Sequence, residues 1–283
     1  MGFLRSFKKI LRPIRSSLRK WRADKTLSDF RVADSNEGFL YVVFGESYSK
    51  EARFSIESLR RHNSEPIMVL TDHAELFTDL CEGITVRSIQ PTHKRAKVDF
   101  IQDSGFRKTI YLDSDTLVVA PLSDLFGLLD RFDVIATIDA ARKRQNIASK
   151  IKAYDQIPYA FSEVNGGVLG FNSSEASLEM LRLWRTYFYQ YFEDTSGWDQ
   201  PSLRIALWDS SVRLCILPAE YNIRPVRLSE KTKEHRERFG INHMQPRIFH
   251  SHYSDKIHQG EMTVTTLDQL ERVIREQSLE IKF

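Results

Sequence analysis

The chain has 283 residues, of which 41% are hydrophobic and 28% are charged. These values predict a folded, soluble protein of one large domain or two closely joined domains with a buried core. No apolar run approaches the roughly 18–20 residues that a membrane-spanning helix needs. The N-terminus also lacks the uninterrupted apolar segment of a secretory signal.

The charge is distributed unevenly along the chain. Of the 41 Lys and Arg and 38 Asp and Glu, nine bases and one acid lie in residues 1–25, so that this segment carries +8 and the remaining 258 residues carry −5. The acidic body argues against nucleic acid as a partner. Apolar residues recur at helical spacing in the basic segment, with Pro13 interrupting them. The segment is interpreted either as an amphipathic helix on an anionic membrane surface or as a solvated arm that packs on the body.

The two cysteines, Cys81 and Cys215, are far apart and lack the spacing of a zinc site. Both are interpreted as buried thiols in a reducing compartment. The sequence therefore predicts a cytoplasmic protein, with residues 1–25 as a possible attachment to the inner face of a membrane. It leaves the oligomeric state open.

After a polar linker at residues 26–38, strands alternate with helices. Predicted strands lie at 39–44, 67–70, 84–89, 109–115, 133–138, 164–171, 212–217 and 247–253. Predicted helices lie at 50–62, 94–104, 174–192 and 200–208, and the charged segment 229–245 is predicted to be a surface loop or lid. This order predicts an α/β fold with a mainly parallel central sheet, which binds ligands beyond the carboxyl ends of its strands. Neither a dinucleotide-binding glycine pattern nor a phosphate-binding P-loop is present.

Two acids, Asp113 and Asp115, interrupt the apolar stretch TIYLDSDTLVV at residues 109–119. On a strand, side chains two positions apart point the same way and are about 6.6 Å apart. Two carboxylates projecting together need a cation or solvent, and a hard divalent ion fits them. The alternative is a solvated turn, because Asp and Ser favour turns.

The strand, the sequence LDSDT and the following segment PLSDLF resemble the Asp-x-Asp region of nucleotide-sugar glycosyltransferases with the GT-A fold. The likeness is strongest to glycosyltransferase family 8, which includes glycogenin and bacterial galactosyltransferases. It implies that Asp113 approaches the ribose and the metal and that Asp115 binds the metal. Phosphatases of the haloacid dehalogenase type also carry an acid pair after a strand, but their threonine follows the second Asp by two positions, where this chain has Leu117.

Two further segments match the family in order. YVVFGESYSKEARFSIESLRRHN resembles the opening strand, loop and helix, which implies that Phe44 and Tyr48 lie near the base. Asp72, directly after the second strand, is assigned to the same nucleotide site. Lys97 corresponds to a basic residue that holds the diphosphate or the donor sugar. A common strand-turn-helix and a solvated lysine are the alternatives.

The sequence Val-Asn-Gly-Gly-Val resembles the family's segment beside the donor sugar and acceptor. This implies a role there for Asn165, Gly166 and Gly167, whose glycines let the backbone approach a ligand. Asp199 and Gln200 resemble the family's Asp-Gln pair, in which the acid contacts the transferred sugar and the amide lies near the anomeric carbon. A bulged strand and an N-cap Asp are the structural alternatives.

The late segment RIFHSHYSDKIH contains the last features of the resemblance. In the family a strand histidine binds the metal and a lysine six residues later binds the diphosphate, which corresponds to His250 and Lys256. His252 lies on the same predicted strand face and is an alternative ligand. The chain departs from the family where a Gly would follow the histidine and a Pro-Trp would follow the lysine, so either histidine remains a candidate.

Together these features predict a basic arm and linker at residues 1–38 and a GT-A domain at 39–283. Its nucleotide-binding half is predicted at 39–120 and its donor-sugar and acceptor half at 121–260. The predicted activity is transfer of a sugar from a nucleotide-diphosphate sugar, UDP-linked, to a glycan, lipid-linked or protein acceptor. The resemblance implies that the anomeric configuration is retained, and an inverting enzyme with Asp199 as its base is the alternative. The predicted metal is Mn²⁺ or Mg²⁺, and the nitrogen ligand favours manganese. The alternatives are a divalent-metal phosphohydrolase and an inactive nucleotide-sugar-binding protein.

Overall fold

The computed structural model describes residues 36–80, 82–139, 150–223 and 245–250, together with single positions at 268, 269 and 272. Several predictions fall outside these ranges. They concern the basic arm, Cys81, His252, Lys256 and nearly all of the charged segment 229–245.

The described residues form strands alternating with helices, as predicted. The strands are β1 Glu37–Val43, β2 Ile67–Thr71, β3 Ile84–Ser88, β4 Lys108–Leu112, β5 Thr116–Val118, β6 Val134–Ile138, β7 Val164–Asn172, β8 Leu214–Leu217 and β9 Ile248–His250. The α-helices are α1 Glu46–Arg60, α2 Lys97–Phe100, α3 Asp124–Leu128, α4 Lys152–Asp155, α5 Glu175–Gln190 and α6 Gln200–Asp209. Short 3₁₀ helices lie at Ala74–Phe77, Ile101–Asp103 and Ala219–Tyr221.

Seven strands form the central sheet in the order β3-β2-β1-β4-β7-β6-β8. Strand β7 is antiparallel to both of its neighbours, and the other neighbouring pairs are parallel. The start of β7 therefore lies at the same edge of the sheet as the carboxyl ends of β1, β2 and β4. Strands β5 and β9 form a separate antiparallel pair. The predicted mainly parallel α/β fold is confirmed.

The core occupies both faces of the central sheet. Successive residues of β1 alternate between two apolar clusters, with Phe39 in one and Leu40 in the other. Helix α1 covers one face with Ala52, Ile56 and Leu59. Helices α5 and α6 cover the other. Burial on both faces explains why the strand FLYVVF is apolar without alternation.

The strand predicted to run through both acids ends before them. Strand β4 stops at Leu112, and the chain turns at Ser114 before β5 begins in the second sheet. The turn is closed by Thr116, whose Oγ1 donates to the Asp113 carbonyl oxygen at 2.8 Å. The backbone at the acids is therefore a turn, a conformation that Asp and Ser favour, but it is not the solvated turn of the alternative, because Asp115 is only 3% exposed.

Other boundaries also differ from the prediction. Helix α1 begins at Glu46 because Gly45, with φ +87°, ends the preceding loop. The predicted helix 94–104 is reduced to α2 and a 3₁₀ turn, since Asp99 binds Thr92 and His93 and holds the preceding residues in turns. Cys215 is partly exposed rather than buried, because β8 is an edge strand.

Among the described residues, no helix combines the length and apolar character that crossing a membrane requires.

Candidate active site

A cavity of about 680 Å³ opens where the carboxyl ends of the parallel strands meet the start of β7. Every predicted site residue within the described ranges lies on its wall: Phe44, Tyr48, Asp72, Lys97, Asp113, Asp115, Asn165, Gly166, Gly167, Asp199, Gln200 and His250. These residues come from segments more than 200 positions apart in the chain. The fold brings them together as the topology of open α/β sheets predicts.

Three side chains at one end of the cavity could hold a metal ion. One ligand atom from each of Asp113, Asp115 and His250 lies within 4.8 Å of the others. His250 Nε2 is 3.1 Å from Asp115 Oδ1 and 3.8 Å from Asp113 Oδ2. Although the acids lie on a turn, their carboxylates still converge. Strand β9 brings His250 opposite them, because His250 pairs with Thr116.

The hydrogen bonds of His250 fix the role of each ring nitrogen. Asn222 Nδ2 donates to Thr137 Oγ1 at 2.9 Å, which turns the amide oxygen of Asn222 toward His250. That oxygen lies 2.8 Å from Nδ1 and accepts its proton. In the neutral ring, Nε2 then presents a lone pair to two carboxylates, an arrangement that a cation between them stabilises. The set of two oxygens and one nitrogen fits a divalent metal ion.

Gly167 packs directly against this group. A Cβ atom at this position would lie 2.2 Å from His250 Cε1 and 2.7 Å from Asp113 Oδ2. The Asp113 amide also donates to the Gly167 carbonyl oxygen at 2.8 Å. Only a glycine leaves room for both ligands at this point of β7.

Lys97 links Asp113 to Asp199 on the wall of the cavity. Its Nζ donates to Asp113 Oδ1 at 3.0 Å and to the Gly166 carbonyl oxygen at 3.1 Å, and lies 3.3 Å from Asp199 Oδ2. Burial alone would lower the pKa of this lysine, but Asp113 and Asp199 outweigh it and raise the pKa above its ordinary value. Lys97 is therefore a buried, charged cation between two acids.

Asp199 is also held in its charged form. Burial raises its pKa, but Lys97 and Arg95 outweigh that effect, so the pKa lies below the ordinary value for Asp. Asp199 is the N-cap residue of α6, as the alternative predicted, but its side chain makes no capping hydrogen bond. Its carboxylate instead faces the cations, with Arg95 Nε at 3.7 Å from Oδ1.

Asn165 and Gln200 each donate a hydrogen bond to an acidic side chain that does not line the cavity. Asn165 Nδ2 donates to Asp139 Oδ2 at 3.0 Å, and Asn165 Oδ1 accepts from the Gly167 amide at 2.9 Å. Gln200 Nε2 donates to Glu163 Oε1 at 3.0 Å. Both amides are therefore fixed in orientation.

The opposite end of the cavity is formed by the turn after β1. The Gly45 amide donates to Asp72 Oδ1 at 2.8 Å, which joins the ends of β1 and β2. Tyr48 is 47% exposed in the first turn of α1 and lines the cavity beside them.

Several wall residues were not found from the sequence. Tyr111 Oη donates to Asp113 Oδ1 at 2.5 Å, and the Arg95 guanidinium lies 5.3 Å from the ring centre of Trp198. Tyr111 belongs to an apolar strand and carries no separate signal. Trp198 immediately precedes the Asp-Gln pair and belongs to the same sequence match, which gave it no role of its own.

Comparison with known proteins supports the fold that these features define. No protein-family model matches the chain, and no curated protein is similar to it in sequence. Solved structures of glycosyltransferases nevertheless match the fold of the chain.

Among those structures are LgtC, WbbM and GlyE. The galactosyltransferase LgtC, solved with donor and acceptor sugar analogues, matches with a TM-score of 0.54 and 15% identity over 83% of this chain and 99% of LgtC. Apo GlyE of Streptococcus pneumoniae TIGR4 matches with a TM-score of 0.58 and 23% identity over 87% of this chain and 60% of GlyE. The bifunctional WbbM matches with a TM-score of 0.54 and 16% identity, over 88% of this chain and 53% of WbbM. The predicted GT-A fold is confirmed.

Proposed function

We propose that the protein is a metal-dependent glycosyltransferase that uses a nucleotide-diphosphate sugar, UDP-linked, and a glycan, lipid-linked or protein acceptor. The observation that carries this proposal is the convergence of Asp113, Asp115 and His250 beside Lys97 and Asp199 in one cavity of a GT-A fold. LgtC, which shares the fold, was solved with donor and acceptor sugar analogues. The division at residue 120 into nucleotide and sugar halves belongs to this proposal.

The three candidate ligands would hold Mn²⁺ or Mg²⁺. When bound, such an ion supplies Lewis-acid neutralisation of the charge that develops on a leaving diphosphate. Lys97 adds a fixed positive charge at the same place, in a buried site where its field is only weakly screened. His250 is held by Asn222 with Nε2 directed at the carboxylates.

The state of Asp199 supports retention of the anomeric configuration. An inverting enzyme needs a general base that removes the acceptor proton. A carboxylate held as an anion by Lys97 and Arg95, with a lowered pKa, is a weak base. We therefore assign Asp199 to binding the transferred sugar rather than to proton abstraction.

The test measures nucleotide release from a panel of nucleotide sugars with Mn²⁺, for the wild type and the Asp115→Asn variant. We expect Asp115→Asn or EDTA to reduce turnover by roughly 1,000-fold, because charge neutralisation at the leaving group is lost. Asp130→Asn is the matched control, since Asp130 is exposed and pairs with Lys108 away from the cavity. Full turnover in Asp115→Asn or in EDTA would contradict the proposal.

The same assay separates the alternatives. Release of inorganic phosphate from a simple ester, with no preference for a nucleotide sugar, would identify a phosphohydrolase. A rise in melting temperature with nucleotide and Mn²⁺ but no turnover would identify a binding protein without activity.

A further inference from the structure

Glu163 is a fully buried carboxylate that lies behind the cavity wall. It directly precedes β7, is 0% exposed, and neither it nor its partner Tyr154 lines the cavity. Tyr154 Oη donates to Glu163 Oε2 at 2.6 Å, and Gln200 Nε2 donates to Oε1 at 3.0 Å. A carboxylate buried at this cost needs donors for its oxygens, and these two side chains supply them.

The bond to Glu163 decides how the Gln200 amide is turned. A glutamine side chain has an NH₂ group and a carbonyl oxygen of nearly the same shape, so only its partners select the orientation. Because Tyr154 already donates to Oε2 of Glu163, the other oxygen, Oε1, is left as an acceptor, and the NH₂ group of Gln200 is the part of the amide that can donate to it. Since Gln200 also lines the cavity, its carbonyl oxygen is the polar atom left to face a ligand there.

We propose that Glu163 is a positioning residue, which holds the Gln200 amide with its carbonyl oxygen toward the transferred sugar. The inference rests on the proposed function. Glu163 does not touch the cavity itself, so it acts through Gln200. An electron-rich oxygen at this place accepts a hydrogen bond from a sugar hydroxyl or stabilises positive charge at the anomeric carbon, whereas an NH₂ group would oppose that charge.

The surroundings hold this arrangement rigidly. Arg204 is 1% exposed and lies four residues after Gln200, on the same face of α6. Its guanidinium donates to the carbonyl oxygens of Tyr154, Pro158 and Phe161 at 2.9–3.1 Å and lies 4.5 Å from the Tyr154 ring centre. Burial raises the pKa of Tyr154, and its bond to Glu163 raises it further, so that the phenol remains a donor. The segment before β7 and α6 are therefore fixed to each other around Glu163.

The test replaces Glu163 by a residue of the same shape. In Glu163→Gln the new amide can present its NH₂ group to Gln200, which then turns its own NH₂ group toward the cavity. We expect kcat to fall on the order of 100-fold, with the KM for the donor within about twofold of wild type. Glu179→Gln, which removes an exposed acid paired with Arg182, is the control and should leave both constants unchanged.

A second substitution separates positioning from a general structural role. If Glu163 acts through Gln200, then Glu163→Gln has no further effect on kcat in a Gln200→Ala background. An equal loss in both backgrounds would overturn the inference.

An independent readout does not need turnover. In protein with ¹⁵N-labelled glutamine, the Gln200 side-chain NH₂ signal, assigned by its loss in Gln200→Glu, should exchange with water at least about tenfold faster in Glu163→Gln than in wild type. Unchanged exchange would overturn the inference even in an active enzyme. If the wild type turns over no nucleotide sugar, the proposed function fails, whereas the exchange measurement still decides whether Glu163 orients Gln200.

Discussion

At the scale of single residues, the candidate metal site depends on the absence of a side chain at Gly167 as much as on its ligands. Two of the three candidate ligands, Asp113 and His250, share one small space with the backbone of β7 at Gly167. Gly166, one residue earlier, has a different environment, because a Cβ there would meet its nearest atom, Leu203 Cδ2, at 3.5 Å, an ordinary contact. The two neighbouring glycines therefore provide a matched pair.

We predict that Gly167→Ala weakens Mn²⁺ binding at least about tenfold. The methyl group would lie 2.2 Å from His250 and 2.7 Å from Asp113. Since the atoms it meets are the ends of side chains, the ligands move and the fold persists. Titration with Mn²⁺, followed by electron paramagnetic resonance of the free ion, measures the affinity.

Gly166→Ala is the control in that titration and should bind Mn²⁺ as tightly as the wild type. Metal affinity and melting temperature are the properties compared. Activity is not compared, because Gly166 lies on the wall of the proposed donor site. Equal affinities of the Gly167→Ala variant and the wild type would show that the space beside His250 is not needed for the metal.

Individual site residues could be predicted from the sequence where their type is unusual for their context. Asp113 and Asp115 interrupt an apolar strand, and Asp199-Gln200 opens an apolar helix, so they are visible without a structure. Glu163 gave no such signal, because an acid before a strand is common on protein surfaces. Its burial depends on Tyr154 and Gln200, which lie far from one another in the sequence.

At the scale of elements, Asp133 connects strands β6 and β8 and helix α5 at the end of the sheet opposite the cavity. It lies just before β6 and is 5% exposed. It accepts from the backbone and side chain of Arg213 before β8, at 2.9–3.0 Å, and from Ser174, which caps α5, at 3.1 Å. The hydrogen bonds from the Arg213 side chain have the largest effect, and together these bonds hold the pKa of Asp133 well below its ordinary value.

We predict that Asp133→Asn lowers the free energy of unfolding by about 1–2 kcal/mol at pH 7. The lower end is expected because the Arg213 side chain is 63% exposed and solvent screens the pair. Since the pKa of the folded state is lowered, the contribution is complete above about pH 4 and is lost as the pH falls below that value. Urea unfolding at pH 7 and at pH 3 should therefore show a smaller difference between variant and wild type at pH 3.

Asp130→Asn serves as the comparison, because Asp130 is 64% exposed and pairs with Lys108 on the surface nearby. It should change the stability by less than about 0.5 kcal/mol. A loss as large as that of Asp133→Asn would mean that any acid at this end of the sheet contributes equally, and that the joining of β6, α5 and β8 is not the cause.

Long apolar elements could be predicted from the sequence, whereas short ones and their ends could not. Strand β1 and helix α5 are long enough for their apolar patterns to stand out. Strands β5 and β9 have three residues each, and they pair with each other and, at Phe249, with Ile223, which lies far away in the sequence. Helix α2 is short because Asp99 binds the preceding residues, a constraint that involves Arg185 and Tyr189 from a distant helix.

At the scale of the whole molecule, the mixed sheet explains why the cavity draws on such distant segments. The reversal at β7 brings Asn165, Gly166 and Gly167 to the carboxyl edge, where a parallel strand would have placed its opposite end. The alternation of strands and helices predicted the parallel part of this sheet. It could not predict the reversal, because strand direction depends on long-range pairing and not on local pattern.

One buried acid, Asp103, changes the free energy of unfolding with pH in the direction opposite to Asp133. Asp103 ends the 3₁₀ turn after α2, and none of the described residues donates a hydrogen bond to its buried Oδ2 atom. Burial raises the pKa of Asp103 to about 7, although Arg185 and Arg87 act to lower it. Between about pH 4 and pH 7 the folded protein thus binds a proton that the unfolded chain has released.

We therefore predict that the wild type loses stability from this group as the pH rises from about 4 to about 7, above which the folded state buries the charge and the loss is complete. Asp103→Asn removes that charge and should raise the free energy of unfolding at pH 8 by on the order of 2 kcal/mol, allowing for partial solvent screening. At pH 5, where Asp103 is protonated when folded, the variant and the wild type should differ much less. Urea unfolding of both proteins at the two pH values measures this, and an equal gain at pH 5 and pH 8 would show that titration of Asp103 is not its source.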